Sequence, residues 1–230
     1  MAAKSYQAGF KRCYGGRLSN LSHKTTENEI QQIYDDWAKE YEKDVVVVAR
    51  AIFHKPLAES LDEAIRRFLA GKEKDEMKII DAAAGTGLIG VELNKLGYTN
   101  LCALDISPKM LDEAKKKNVY TKFICSSLSD RPNPEIAPKE FDALICGGSM
   151  LVGHIGPSAL IEMIRIIKIG GLVCFNIRDG QLEDYQEKIS ELESLGSWKL
   201  ISKRSLPFFE SDDMPRETFL FICQVLDSAR

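Results

Sequence analysis

The order of apolar and polar positions divides the chain into two regimes. In the first, apolar side chains recur at helical spacing: Ile30, Ile33, Tyr34, Trp37 and Tyr41, then Leu57, Leu61, Ile65 and Phe68. Thr26-x-x-Glu29 opens this stretch as a capping box, in which each residue's side chain accepts the other's backbone N–H. Val45 to Val48 is a β-branched run and reads locally as a strand. The second helix falls within Ala49–Leu69, with Pro56 breaking or beginning it. Residues 1–25, punctuated by Gly15, Gly16, Ser19, Asn20 and Ser22, read as an arm of loop.

From Met77 short apolar runs alternate with helical ones. Met77–Ala82, Leu101–Leu104, Tyr120–Cys125, Phe141–Cys146 and Gly171–Ile177 predict strands. Gly87–Leu96, Pro108–Lys117, Ser158–Lys168 and Leu182–Leu195 predict the helices between them. Such alternation gives a parallel sheet covered by helices on both faces. The last two runs, Trp198–Ser202 and Thr218–Val225, have no helix between them and read as an antiparallel pair at a sheet edge.

Composition adds mostly exclusions. Of 230 residues 44% are hydrophobic and 28% charged, which is ordinary for a globular protein and argues against disorder or a fibrous coil. The formal charge of −3 gives no footprint for nucleic acid or a membrane surface. Residues 1–28 run the other way, with Lys4, Lys11, Arg12, Arg17 and Lys24 against Glu27, which reads as a solvated arm. No apolar run reaches the roughly 18 residues of a membrane span, and the N-terminus has no secretory apolar core. The cysteines Cys13, Cys102, Cys125, Cys146, Cys174 and Cys223 form no C-x-x-C pair, and five sit in strand-like runs. They predict free thiols in a cytoplasmic, reducing setting, not a disulfide framework or a metal site.

The chemistry is concentrated in Ile79-Ile80-Asp81-Ala82-Ala83-Ala84-Gly85-Thr86-Gly87-Leu88, which joins a strand to a helix. Glycines let the backbone turn tightly and approach a ligand, and the helix start offers unpaired N–H groups. Asp105 closes the next strand, where a carboxylate can accept both hydroxyls of a ribose. Two ligand classes fit. Gly85-x-Gly87-x-x-Gly90 formally matches the dinucleotide fingerprint of a nicotinamide-dependent oxidoreductase. Asp81, four residues ahead of Gly85, stands where that pattern has apolar strand, and an acid there suits a cationic ligand.

The spacing Asp81-x-x-x-Gly85-x-Gly87 resembles motif I of the class I S-adenosylmethionine-dependent methyltransferases. Leu104-Asp105-Ile106-Ser107-Pro108-x-Met110-Leu111 resembles their second motif, and Ser107 with Pro108 also forms a physically sound helix start. Phe141–Cys146 is similar to the fourth-strand motif, and Lys168-Ile169-Gly170-Gly171-Leu172 to the turn before strand five. Tyr34-Asp35-x-Trp37-Ala38-x-x-Tyr41 resembles the N-terminal helix that lids the cofactor. The resemblance runs from about Ile33 to Val225 and is nearest the methyltransferase-like family named after the Williams–Beuren syndrome chromosome region. It implies a Rossmann-like, doubly wound α/β sheet of seven strands, six parallel and the last antiparallel. An arm (1–25) and a helical lid (26–70) would precede the methyltransferase domain (71–230).

The resemblance implies S-adenosyl-L-methionine as cofactor and a small-molecule or protein nucleophile as acceptor, in a monomer. A non-catalytic cofactor-binding adaptor is the alternative. The cofactor would be held by Asp81, Ala82, Ala83, Gly85, Thr86 and Gly87 of the turn, by Asp105, Ile106 and Met110, and by Ser127, Leu128 and Cys146. Ala83 replaces the motif's first glycine, which requires a negative φ there. Ser126-Ser127-Leu128 replaces the usual Asp beside the adenine, and the Asn/Asp-Pro-Pro-Tyr signature of amine methylation on bases is absent. Tyr34, Trp37 and Tyr41 face the cofactor or pack the core, or do both. Arg50 pairs with the cofactor carboxylate or forms a surface ion pair. His154 follows the fourth strand as a candidate base, with a plain loop histidine as the alternative. Loop Ser205–Pro215 would carry Phe208 and Phe209 as an exposed acceptor-binding wall, with Phe208 tucked onto the sheet as the alternative. Its acids Glu210, Asp212 and Asp213 favour a neutral or cationic acceptor.

Overall fold

The computed structural model describes residues 16–151, 153–210 and 217–227. Cys13 and the loop residues Asp212, Asp213, Met214 and Pro215 lie outside them. Helix α1 (Glu27–Trp37) starts as its sequence dictates: the Thr26 side chain accepts the Glu29 N–H, and the Glu29 carboxylate accepts that of Thr26 at 2.7 Å. Val45 to Val48 is not a strand. Lys43–Val48 forms one π-helical turn, in which Ala49 N–H donates to the Asp44 carbonyl at 2.9 Å. Among the described residues no strand pairs with it, so β propensity has nothing to act on. Only Val45 is buried, while Val47 is 71% exposed.

Helix α2 (His54–Phe68) places Pro56 in its first turn, where a missing N–H costs no helical bond. Its apolar face, including Leu57, Leu61 and Ile65, is buried. The remaining elements alternate: β1 (Ile79–Ala82), α3 (Leu88–Lys95), β2 (Leu101–Asp105), α4 (Pro108–Lys115), β3 (Lys122–Cys125), β4 (Phe141–Met150), α5 (Ala159–Ile166), β5 (Ile167–Arg178), α6 (Leu182–Ser194), β6 (Trp198–Pro207) and β7 (Glu217–Val225). Helix α2 packs against α3 and reaches β4, β5 and β7, so it belongs to the core of the sheet domain as much as to any lid.

The seven strands lie in the order β3-β2-β1-β4-β5-β7-β6, with β7 antiparallel between β5 and β6. All other pairings are parallel, and the strands that pair β1 are buried on both faces, as the unalternating apolar runs require. The chain turns outward in both directions from β1 and β4. The crevice beyond their carboxyl ends is therefore where a ligand settles in such a sheet.

The end of β6 continues into the N-terminal half of the molecule. Ile52 N–H donates to the Phe208 carbonyl at 2.9 Å, and Glu210 N–H to the Arg50 carbonyl at 3.0 Å. Phe208 and Phe209 are each only 2% exposed, which overturns their expected exposure. Phe208 stacks on Phe53 with centroids 4.1 Å apart, and the Arg178 guanidinium lies 4.6 Å over its other side. Among the described residues no helix is long and apolar enough to cross a membrane, and no cluster of metal-ligating side chains is present. The described cysteines are all free.

Candidate active site

The turn after β1 is built around three left-handed residues, Ala83 (φ +57°), Gly85 (φ +55°) and Gly87 (φ +87°). The sequence required a negative φ at Ala83, and the structure does not give it one. An L-residue held there costs roughly 1–2 kcal/mol, so the surrounding bonds must hold it. Ala84 N–H donates to the Leu104 carbonyl at 3.0 Å, and Gly87 N–H to the Ala84 carbonyl at 2.9 Å. Gly85 N–H donates to Asp105 Oδ2 at 2.7 Å, and Ser107 N–H to Oδ1 at 2.9 Å. One carboxylate thus joins the glycine turn to the end of β2. Burial pushes Asp105 up to about 6, against the pull of those two N–H donors. Each oxygen still keeps a lone pair for a further donor.

Ser107 caps α4, its Oγ accepting Met110 N–H at 3.1 Å, with Pro108 at the first helical position. The same hydroxyl donates to Asp35 of α1 at 2.6 Å. Arg131–Glu27 and Lys117–Glu42 add ion pairs between the N-terminal segment and the sheet domain, at 2.7 and 2.5 Å. Polar contacts therefore tie the N-terminal segment to the sheet domain.

Between this segment and the sheet lies a cavity of about 180 Å³. Its lining brings together most residues that the sequence singled out. Ala83, Gly85 and Thr86 form one wall, Asp105, Ile106 and Met110 the next, and Ser127 and Leu128 a third. Tyr34 and Tyr41 close it from the N-terminal segment, and His154 from the loop after β4. Tyr34 Oη lies 2.7 Å from His154 Nε2, and their rings meet edge-on.

Other expected contacts lie elsewhere. Arg50 pairs with Glu210 at 2.6 Å on the surface, both side chains more than half exposed, so the salt-bridge alternative is the one realised. Trp37 is fully buried behind Tyr34 and gives its Nε1–H to Asp44 at 2.8 Å. Ala82 and Cys146 are buried within their strands, and Gly87 caps α3 without lining the cavity. Phe208 and Phe209 sit behind Phe53, one layer away from the cavity, and do not wall it. Asp81 lies below the turn, 1% exposed, and accepts the Tyr120 hydroxyl at 2.6 Å.

Sequence reasoning missed Phe53, His54, the Gly147–Ser149 stretch and Tyr120. His54 lines the cavity beside Phe53, ring centroids 4.0 Å apart, and burial pushes its imidazole down to about 4, so it is neutral at physiological pH. No spacing or motif marks it in the sequence.

The lining suits an adenosyl cofactor better than a dinucleotide. It contains Glu27 and Asp105 but no lysine or arginine, so a diphosphate would meet acid without a compensating cation. One buried oxygen of the cavity lining, Thr86 Oγ1, has no hydrogen-bond partner among the described residues, an arrangement that a ligand's donor would relieve. Tyr34 and Tyr41 line the cavity, and aromatic rings are favourable neighbours of a cationic centre.

Comparisons with known proteins agree. Residues 79–171 match the family model of a methyltransferase domain. The chain is 30% identical over 172 residues to methyltransferase-like protein 27 of Homo sapiens, covering 72% of this chain and 66% of that protein. It is 28% identical over 110 residues to malonyl-[acyl-carrier protein] O-methyltransferase of Serratia marcescens, covering 46% of this chain and 41% of that one. The chain thus spans just under two thirds of the human relative and about two fifths of the bacterial one. Among solved structures, magnesium protoporphyrin IX methyltransferase of Synechocystis PCC 6803 with bound S-adenosylmethionine superposes with a TM-score of 0.60 at 12% identity, over 87% of this chain and 97% of that one. A methyltransferase from Clostridium acetobutylicum ATCC 824 gives 0.59 at 15% identity, over 84% and 99%. Residues 79–171, with their glycine turn and strand-two acid, are a methyltransferase domain of the class I S-adenosylmethionine-dependent type.

Proposed function

We propose that this protein transfers a methyl group from S-adenosylmethionine to a small-molecule or protein nucleophile. The observation that carries the reading is Asp105: a buried carboxylate at the end of β2, bonded to the glycine turn and lining a cavity without lysine or arginine. When bound, the cofactor supplies an electrophilic methyl carbon and a neutral thioether leaving group. The chain's own part is alignment and exclusion of water. Asp105 and the turn hold the nucleoside; Ser127 and Leu128 flank the base. Tyr34, Tyr41 and Phe53 enclose the reacting end.

His154 takes the proton that the acceptor gives up, and Tyr34 orients it through the 2.7 Å contact. An acid-lined cavity supports a neutral or cationic acceptor over a phosphorylated one, and a small molecule or protein over nucleic acid. The free thiols support a cytoplasmic setting, and the polar exterior of α1 and α6 a monomer. Calorimetry against S-adenosylmethionine, S-adenosylhomocysteine and NAD(H) tests the cofactor, and release of S-adenosylhomocysteine over a metabolite panel tests the transfer. Binding of NAD(H) in place of the adenosyl ligands would overturn the reading. Tight binding of the adenosyl ligands without turnover on any acceptor would favour an adaptor.

A further inference from the structure

Tyr120 belongs to none of the motifs, yet the cofactor turn is built around it. It stands on the segment leading into β3, and its ring is buried under α3. A Cβ added at Gly90 would lie 2.2 Å from both Oη and Cζ of Tyr120, and one at Gly87 would lie 2.9 Å from its Cε2. Gly87-x-x-Gly90 is thus the seat of this phenol, and Gly90, the third glycine of the apparent dinucleotide fingerprint, makes room for its ring and hydroxyl. From that seat the hydroxyl donates to Asp81 Oδ2 at 2.6 Å.

Asp81 needs such a partner. It is 1% exposed, and no basic side chain among the described residues pairs with it. The groups that face it are Tyr120, Asp105 and Cys102 from β2, Cys146 from β4 and the backbone of Gly90 in α3. Burial, reinforced by the charge of Asp105, pushes its carboxyl up to about 7, while the Tyr120 hydroxyl pulls the other way. An isolated ionised carboxylate in such surroundings gives up its charge unless something donates to it.

We propose that Tyr120 is a positioning residue of the cofactor site: its hydroxyl keeps the Asp81 carboxylate charged and fixed beneath the glycine turn, where it favours the cationic amino-acid end of the cofactor. Asp81 then acts across the turn and not as a direct ligand, which agrees with its absence from the cavity wall. The inference rests on the S-adenosylmethionine reading above. A tyrosine that merely fills space would hold the turn's shape at every pH alike.

The test is calorimetry of wild type and Tyr120→Phe from pH 6 to 8.5 with two probes. These are S-adenosylhomocysteine and 5′-methylthioadenosine, which lacks the amino-acid end. In the wild type, S-adenosylhomocysteine should bind more tightly as pH rises through about 7. The variant should bind it roughly tenfold more weakly at pH 7, the ratio set by about 1.4 kcal/mol. It should recover most of that loss by pH 8.5, and methylthioadenosine should bind both proteins equally. Equal S-adenosylhomocysteine affinity at every pH overturns the proposal. So does a pH-independent loss shared by both probes. Asp81→Asn in the same series separates this carboxyl from Asp105 and the cavity histidines. It should abolish the rise through pH 7, and a rise that persists also overturns the proposal, whether or not Tyr120→Phe folds. No binding of either probe by the folded wild type overturns the cofactor reading itself, and the proposal with it.

Discussion

Replacing Asp105 by Asn should stabilise the empty protein at high pH while weakening its hold on the cofactor. The carboxyl lies at about 6 in the folded chain against an ordinary value of 3.8, with burial the chief cause. That rise corresponds to about 3 kcal/mol against the charged form. Because the folded value is raised, the native state binds this proton more tightly than the unfolded chain does. Its contribution to stability is fully present below about pH 4 and is lost as pH rises through about 6. Asparagine removes the charge penalty, but it turns an amide group toward one of the two backbone N–H donors now at 2.7 and 2.9 Å. The mismatch costs about 1–2 kcal/mol. The variant should therefore be more stable than wild type by about 1–2 kcal/mol at pH 8 and less stable by about 1 kcal/mol near pH 4. Urea titrations at half-unit steps of pH should show the two stability curves crossing. At pH 8 the melting temperature should rise by about 2–8 °C, given roughly 2–4 °C per kcal/mol for a chain of this size. Affinity for S-adenosylhomocysteine should fall at least tenfold at the same pH, the loss of about 1.4 kcal/mol or more. Parallel stability curves would refute the buried-charge argument, and unchanged affinity would refute the assignment of Asp105 to the ribose.

Gly90→Ala should cost about 3 kcal/mol or more in urea unfolding, because its methyl group has no space beside Tyr120; a loss below 1 kcal/mol would contradict the tight seat. Phe208→Ala should destabilise the fold by about 3–5 kcal/mol, as for any large buried aromatic, and so lower activity only through the amount of folded protein. Full stability with a raised KM for the acceptor would restore Phe208 to the binding wall. Residues 26–48 should gain hydrogen-exchange protection when S-adenosylhomocysteine binds, and Asp35→Ala, which removes the bond from Ser107 Oγ, should reduce that gain.

What the sequence disclosed was local or periodic. The Thr26–Glu29 box, the Ser107–Pro108 helix start and the alternation of strands with helices are each determined within a few residues. The glycine turn and Asp105 were legible because a tight turn and an acid at a strand end have few other uses. What stayed hidden depends on partners far apart in the chain. The valine run forms a helical turn because strand propensity is realised only against a neighbouring strand, and among the described residues none pairs with 43–48. The exposure of Phe208 and Phe209 depends on Phe53 and Arg178, 155 and 30 residues away from Phe208. Arg50 was undecided until Glu210 came to meet it. Tyr120 and His54 carry no pattern; only the fold brings the one to Asp81 and the other into the cavity. Ala83 shows the reverse case, where a residue poorly suited to its backbone conformation is held there by its neighbours' bonds.

The position of β7 also sets an order of assembly. Synthesis delivers β6 first, but in the finished sheet β7 lies between it and β5. A nascent chain that has emerged as far as Pro207 therefore has β5 with one open edge and β6 with nowhere to dock. Phe208 can close behind Phe53, and Ile52 can donate to its carbonyl, only once that hairpin folds back. The wall behind the cavity is thus completed only after β7 has been made, through a contact between residues 155 positions apart. Such closure is slow, and an open, apolar β5 edge is a template for pairing with other chains while it waits. Ribosome-stalled or prematurely terminated chains lacking residues 217–225 would be the species that chaperones must hold, although every residue of the glycine turn is already present in them.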